Sequence, residues 1–287
     1  MSQNDGIRLN KFLASCGVGS RRACDVLVQQ GHVEINGHPC LSPAERVKLT
    51  DFVKVDGKRV QPKRATTIIF NKPKGLVCSK DDELGRSTIF EALPIQLSHL
   101  NHVGRLDRDS EGLLVMTNDG DLAQSLLHPS KDVEKEYLVT ANQQFSDAHL
   151  DQFLAGVYVE EGKVKLRAKE IERLSPRRLR VVLTTGYKRQ IRVMLQALGY
   201  TVQRLIRVRI GSFILGDLPP GGWCQLEETE IAALKVNPKF KARPKAKREI
   251  SKDRGKAAKS FRPARKKMED PPKRGRAAKK APRRGKF

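Results

Sequence analysis

A chain of 287 residues, 38% of them hydrophobic and with mean hydropathy −0.51, can bury one large or two modest cores but is too polar to bury all of itself. It carries 56 Lys and Arg against 32 Asp and Glu, a net charge of +24, and no apolar run approaches the roughly 20 residues that span a bilayer. The opening MSQNDGIRLN lacks a basic-then-apolar secretory pattern, so the expectation is a cytoplasmic protein with no membrane partner. Cys16, Cys24, Cys40, Cys78 and Cys224 are scattered, with no C-x-x-C pair and no clustering with the six histidines. That predicts reduced thiols, no disulfide and no metal.

In chain order, Leu9, Phe12, Leu13 and Cys16 recur at helical spacing and predict a short first helix. GVGS interrupts it. Ser20 can cap a second helix whose apolar face would be Ala23, Val26 and Leu27, with Gly31 at its end. Val33 and Ile35 alternate ahead of a hairpin-type Asn36-Gly37, and FVKVDGKRV repeats the pattern at Asp56-Gly57. Arg21 and Arg22 sit in the first turn of the second helix, where the backbone is already positive. They are either two solvated arginines or, with the free N–H groups, a phosphate site.

QPKRATT reads as a linker. From Thr67, TIIF, GLLVMT (112–117), KEYLVTA (135–141) and the alternating Leu179, Val181 and Leu183 predict strands, and RLIRVRIGSFIL reads as a further one. DLAQSLL is helical. Leu150, Phe153, Leu154 and Val157 predict a helix capped by Ser146, and Ile191, Met194, Leu195 and Leu198 one ended by Gly199. Strands with a few interposed helices imply an α+β domain around a mixed or antiparallel sheet. Apolar residues nearly vanish after residue 236. Of the 52 residues from Val236 to Phe287, 22 are Lys or Arg and 4 are Asp or Glu, leaving 34 and 28 for the rest. The expectation is a disordered basic tail that binds RNA phosphate without reading sequence.

RLNKFLASCGVGSRRACDVLVQQGHVEINGHPC resembles the ribosomal-protein-S-four-like RNA-binding domain. FNKPKGLVCS, VGRLDRDSEGLLVMTNDGDLAQSLLHPSKDVEKEYLV, TTGYKRQIRVMLQALGY and RLIRVRIGSFILGDLPPGGW resemble, in that order, the ribosomal RNA pseudouridine synthases that carry such a domain. The resemblance covers roughly residues 7 to 230. It implies an RNA-binding domain over 7–64, a pseudouridine synthase domain over 67–235 and a tail over 236–287. It implies turnover of a uridine within ribosomal RNA into pseudouridine, the large-subunit RNA being favoured by HPSK ahead of VEKEYLV. It also implies no cofactor, a ribosomal RNA or pre-ribosomal partner, and a monomer.

Carried over by motif, Asp107 of GRLD is the catalytic aspartate. Tyr137 of KEYLV stacks on the flipped base and accepts a proton. Arg192 of RQIR pairs with the aspartate, expected here as a bidentate fork. Ile191 lines the uracil pocket, and Arg105 fills the gap the base leaves. Arg8, Lys11, Ser20, Arg21 and Arg22 are the expected RNA contacts of the first domain. Val193 stands where relatives often have a second arginine, and Cys24 where many have an acid. Whether Asp107 adds to the ring or assists loss of the base from the sugar is open. Read alone, Asp107 is a turn residue, Tyr137 an ordinary strand residue, and Arg189 and Arg192 a wet helix face. The rival functions are the same reaction on small-subunit ribosomal RNA or tRNA, or RNA binding and ribosome assembly without turnover.

Overall fold

The computed structural model describes residues 6–48, 50–80, 82–159 and 163–238; the basic segment from 239 onward lies outside the described residues. The N-terminal unit runs β1 (Ile7–Arg8), α1 (Leu9–Ser15), α2 (Arg21–Gln29), β2 (Val33–Ile35), β3 (His38–Pro39), β4 (Arg46–Val47), β5 (Val53–Val55) and β6 (Lys58–Arg59). Asn36 and Gly37 both take positive φ, 52° and 85°, as a two-residue hairpin turn requires. Leu9, Phe12, Leu13 and Cys16 are buried as the spacing predicts. In α2 the buried residues are Cys24 and Val28, while Val26 is 49% exposed. The apolar face is thus turned from the expected one by about a residue, because the thiol of Cys24 serves as a small hydrophobe against Leu13 and Val33 in the same cluster.

The second unit holds β7 (Thr67–Lys72), β8 (Asn101–Val103), β9 (Glu111–Thr117), α3 (Gly120–Leu127), β10 (Lys135–Ala141), α4 (Asp147–Ala155), β11 (Val157–Val159), β12 (Val164–Leu166), β13 (Glu170–Ser175), β14 (Arg178–Leu183), α5 (Gln190–Ala197), β15 (Val202–Ile210), β16 (Phe213–Ile214), β17 (Trp223–Gln225) and α6 (Glu228–Lys235). Its sheet has the order β13-β14-β10-β15-β9-β7-β17, with β8 on β9 and β16 on β15. The β9–β15 pair is parallel and the other strand pairs of this sheet are antiparallel, so the architecture is α+β around a mixed sheet. Gly112 (φ 104°) sits at that parallel pair, where a Cβ would strike the Arg207 carbonyl. Only glycine lets these two strands approach so closely.

Three local expectations are corrected. The helix on Leu150 and Phe153 stops at Ala155: Gly156 takes φ 115°, and Val157 opens β11 rather than extending the stripe. RLIRVRIGSFIL is two strands, β15 and β16, turned at Gly211-Ser212. Val182, between the alternating Leu179, Val181 and Leu183, is also buried, because β14 lies inside the sheet with both faces covered.

The Lys63 N–H, at the end of the first unit, donates to the Ser15 carbonyl at 3.0 Å, and Lys11 of the first unit pairs with Asp121 of the second at 2.7 Å. At the far end of the second unit the Asn237 side chain accepts from the Glu134 N–H and donates to the Asp132 carbonyl, both at 2.9 Å. The five cysteines are free thiols. Among the described residues no helix is long and apolar enough to cross a membrane, and no group of three or more His, Cys, Asp and Glu could hold a metal.

Candidate active site

Asp107 lies in the loop between β8 and β9, and a buried lysine shapes that loop. Lys72 closes β7 with no exposed surface. Its Nζ donates to the carbonyls of Pro73 (3.1 Å), Arg108 (3.3 Å) and Ser110 (2.8 Å). The Gly75 N–H donates to the same Arg108 carbonyl at 2.8 Å, so the NKPKG turn and the GRLDRDS loop are tied together. Burial pushes the Lys72 amine down to about 8, while Cys78, Asp107, Asp109 and Glu111 nearby pull the other way. A buried ammonium is costly unless its donors are met, and here three carbonyls meet them. The carboxylate held out by this loop is about a quarter exposed.

Two arginines face it. Arg192 Nε and Arg189 Nη1 each stand 3.7 Å from Asp107 Oδ2. This corrects the expected bidentate fork: both contacts are electrostatic and longer than hydrogen bonds. The reason is visible in Arg192. Its Nη1 donates to the Val202 carbonyl (3.2 Å), and its Nη2 to the Asp109 carbonyl (3.0 Å) and Ser110 Oγ (3.3 Å), leaving a buried Nε aimed at the carboxylate without a hydrogen-bond partner. Burial and the neighbouring Arg189 lower the Arg192 pKa, offset in part by Asp107 and Asp109. Arg192 is only 11% exposed, so it is no wet helix face. Arg189 precedes α5 in the left-handed region at φ 56°, a conformation that costs a non-glycine residue on the order of 1 kcal/mol or more. Gln190 fixes that corner, accepting from Thr185 Oγ1 at 2.7 Å and donating to the Arg167 carbonyl at 3.2 Å from a buried position.

These elements enclose a cavity of about 310 Å³ whose lining includes Arg105, Asp107, Lys135, Tyr137, Ile191 and Arg207. That is the size at which small-molecule pockets begin. Tyr137 is half-buried on β10 and packs on both large hydrophobic clusters that flank the cavity. Ile191, with Met194 and Leu195, anchors α5 in one of them. Arg105 is exposed at the mouth, where a second cavity of about 520 Å³ opens on the other side of the Asp107 loop. Arg192 touches the carboxylate but lies off the cavity lining. The structure therefore brings Asp107, Tyr137, Ile191 and Arg105 around one space and backs Asp107 with Arg192.

The residues singled out in the first unit lie well apart from that cavity in sequence and do not line it. Arg8, Arg21 and Arg22 are exposed, Ser20 caps α2 by accepting from the Ala23 N–H at 3.1 Å, and Lys11 is engaged by Asp121. Sequence reasoning missed Lys72, Ser110, Gln190 and Arg207, and left Arg189 as a surface charge. Lys72 stands at the end of a six-residue segment that is buried throughout. No spacing rule marks a lysine there as buried.

Residues 66–197 match the RNA pseudouridylate synthase family and residues 7–53 the S4 domain. A dual-specificity RNA pseudouridine synthase, RluF of Escherichia coli (strain K12), is 35% identical across 92% of this chain and 94% of its own length. The ribosomal large subunit pseudouridine synthase B of Pseudomonas aeruginosa is 34% identical across 90% of this chain and 72% of its own. A crystal structure of a pseudouridylate synthase superposes with a TM-score of 0.60 at 28% identity, covering 80% of this chain and all of that one. A carboxylate presented at an open cavity, the arrangement of its loops and these likenesses agree: the chain belongs to the RNA pseudouridine synthase family, in the branch that carries an S4 domain.

Proposed function

We propose that this enzyme converts a uridine of large-subunit ribosomal RNA to pseudouridine, with Asp107 as the catalytic carboxylate. The observation that carries the reading is the placement of Asp107 in a 310 Å³ cavity beside Tyr137, with Arg189 and Arg192 both 3.7 Å from one carboxylate oxygen. The target base must leave its stack to reach such a space. Arg105, at the mouth, would occupy the gap in the RNA. Ile191 and Tyr137 would sandwich the uracil, and Tyr137 would accept the proton lost from ring carbon 5. The two arginines face one oxygen of Asp107 and orient it, and their contacts can shorten once RNA fills the cavity. The isomerisation changes no oxidation state and consumes no water, so the proposal includes no cofactor.

Arg8, Lys11, Ser20, Arg21 and Arg22 of the first unit would grip the RNA outside the cavity. Arg21 and Arg22 at the start of α2, whose first turn has no acidic residue, suit a phosphate. The lysine- and arginine-rich segment 239–287 would add affinity that ignores sequence. We read the protein as a cytoplasmic monomer working on ribosomal RNA or a pre-ribosomal particle, with domains at 7–64 and 67–235 and a tail over 236–287. The large-subunit target rests on the names of the similar enzymes. The dual specificity in the name of the Escherichia coli relative makes a second RNA worth assaying alongside.

The test is incubation of purified enzyme with large-subunit ribosomal RNA, small-subunit ribosomal RNA and tRNA, followed by pseudouridine mapping. New pseudouridine at a discrete large-subunit position, absent with Asp107→Asn, is the expected result. Modification confined to the other RNAs would overturn the target, and full activity of Asp107→Asn would overturn the assignment of the carboxylate.

A further inference from the structure

The buried wall of the cavity carries two cations that the reaction described above leaves unused, Lys135 and Arg207. Their placement follows from a β-bulge. On β10 and β15, Glu136 lies opposite Arg209 and Tyr137 opposite Arg207, so Val208 is the extra residue. Successive strand residues point to opposite faces, and a bulge re-aims the side chains beyond it. Arg209 therefore meets Glu136 on one face, while Arg207 joins Tyr137 on the cavity face. Lys135, two residues before Tyr137, shares that face.

Arg207 is 4% exposed. Its Nε donates to the Leu113 carbonyl at 2.7 Å. Its Nη2 is buried and has no hydrogen-bond partner, which among the described residues is otherwise true only of Arg192 Nε at Asp107. Lys135 Nζ donates to the Val133 carbonyl at 2.8 Å, and burial together with Arg207 pushes its amine down to about 8. A buried arginine with an unmet N–H, beside a half-buried lysine and on the same cavity as a carboxylate, forms a site for an acceptor that carries or gains negative charge. A phosphate does not suit it. A hydrated phosphate diester suits instead the exposed cations Arg105, Arg108, Lys188 and Arg189 that line the neighbouring cavity. The half-buried wall shared by Tyr137 and Arg207 suits a flat, weakly hydrated group.

We propose that Arg207, assisted by Lys135, donates through Nη2 to a carbonyl oxygen of the uracil in the cavity and stabilises the negative charge that builds there during the reaction. The inference rests on the cavity being the uracil site. It holds for either route open to Asp107. If the carboxylate adds to ring carbon 6, the displaced π pair moves to the oxygen on carbon 4. If the bond from ring nitrogen 1 to ribose breaks, its pair stays on the base and is shared by both carbonyl oxygens. In the addition route the pair returns through carbon 5 to the ribose carbon as the bond from nitrogen 1 breaks, and the carboxylate then leaves carbon 6 with its pair; in the other route the pair on the base forms the carbon 5–ribose bond directly. In both, the proton on carbon 5 passes to Tyr137, which restores the double bond between carbons 5 and 6, and nitrogen 1 takes up a proton. A donor fixed where this charge appears lowers the barrier without tightening the bound ground state.

The test is single-turnover kinetics on ribosomal RNA at saturating enzyme, comparing wild type with Arg207→Met, Arg207→Lys and Lys135→Met. Arg207→Met should lower the maximal rate by about 10²-fold or more, with the half-saturating enzyme concentration changed less than about threefold. Arg207→Lys should recover at least tenfold of that loss, and Lys135→Met should lose about tenfold. Should Arg207→Met fail to fold, Arg207→Lys and Lys135→Met carry the test by the same split. Maximal rates equal to wild type, or a loss confined to the half-saturating concentration, would overturn the role of Arg207. A wild-type enzyme that modifies no ribosomal RNA would instead overturn the function on which this inference rests.

Discussion

Two groups of charge lie against β10, one around Glu136 and one around the cavity that Tyr137 lines, and they are built differently. Around Glu136, Arg209 donates to Glu136 (2.9 Å), Glu134 (3.0 Å) and the Gly211 carbonyl, Arg180 reaches Glu136 at 3.3 Å, and Lys169 meets Glu134 at 2.7 Å. Each of these contacts is 3.3 Å or shorter, and Glu134, Glu136 and Arg209 are buried with their charges paired. Around Asp107, on the loop between β8 and β9, the ion pairs are 3.7 Å long, and Arg192 Nε and, at the cavity wall, Arg207 Nη2 have no hydrogen-bond partner. A fold could have met those donors, as it does around Arg209. Paired charge in one place and unmet donors in the other distinguish charge that holds the sheet from charge that, in the reading proposed above, meets a substrate.

Three substitutions and one deletion sharpen or break that contrast. Asp107→Asn keeps the size of the side chain and removes the charge, and should cost about 10⁴-fold or more in rate with little change in melting temperature; a rate within tenfold of wild type would place the chemistry elsewhere. Arg209→Met should do the reverse, costing about 3–5 kcal/mol of stability by leaving Glu134 and Glu136 short of a partner. Denaturant unfolding measures this, and a loss below about 1 kcal/mol would mean the closed network is not needed to hold the sheet. Gly112→Ala should cost about 1–3 kcal/mol, because its Cβ meets the Arg207 backbone at positive φ; since that strain falls on the strand carrying Arg207, the rate should drop along with the melting temperature. Deletion of residues 239–287 should have the mildest effect, weakening RNA binding and flattening its salt dependence. The position modified should stay the same, and a change of site would give the basic segment a role in selection.

Much of this contrast is invisible in the sequence, for identifiable reasons. Helix and strand positions follow from spacing: α1, α5 and β10 lie where their apolar patterns put them, and Ser20 and Ser146 cap the helices they precede. Motif order brings Asp107, Tyr137, Arg192, Ile191 and Arg105 into consideration, and they converge in space. What pattern cannot reveal is a shift of one residue between strands. Arg207 and Arg209 share parity in RLIRVRIG, and only the bulge at Val208 sends them to opposite faces. Lys72 is hidden for a related reason, since its burial depends on carbonyls from a loop 36 to 38 residues away. Arg189 is hidden because its left-handed backbone is imposed by the Gln190 anchor rather than by its own preference.

The most direct test of the central claim is pseudouridine mapping of total RNA from cells lacking this gene, complemented with either the wild-type chain or Asp107→Asn at matched protein levels. The account predicts one or more large-subunit ribosomal RNA positions that lose pseudouridine on deletion, regain it with wild type and stay unmodified with Asp107→Asn. Restoration by the Asp107→Asn chain, or a pseudouridine map unchanged by deletion, would contradict it.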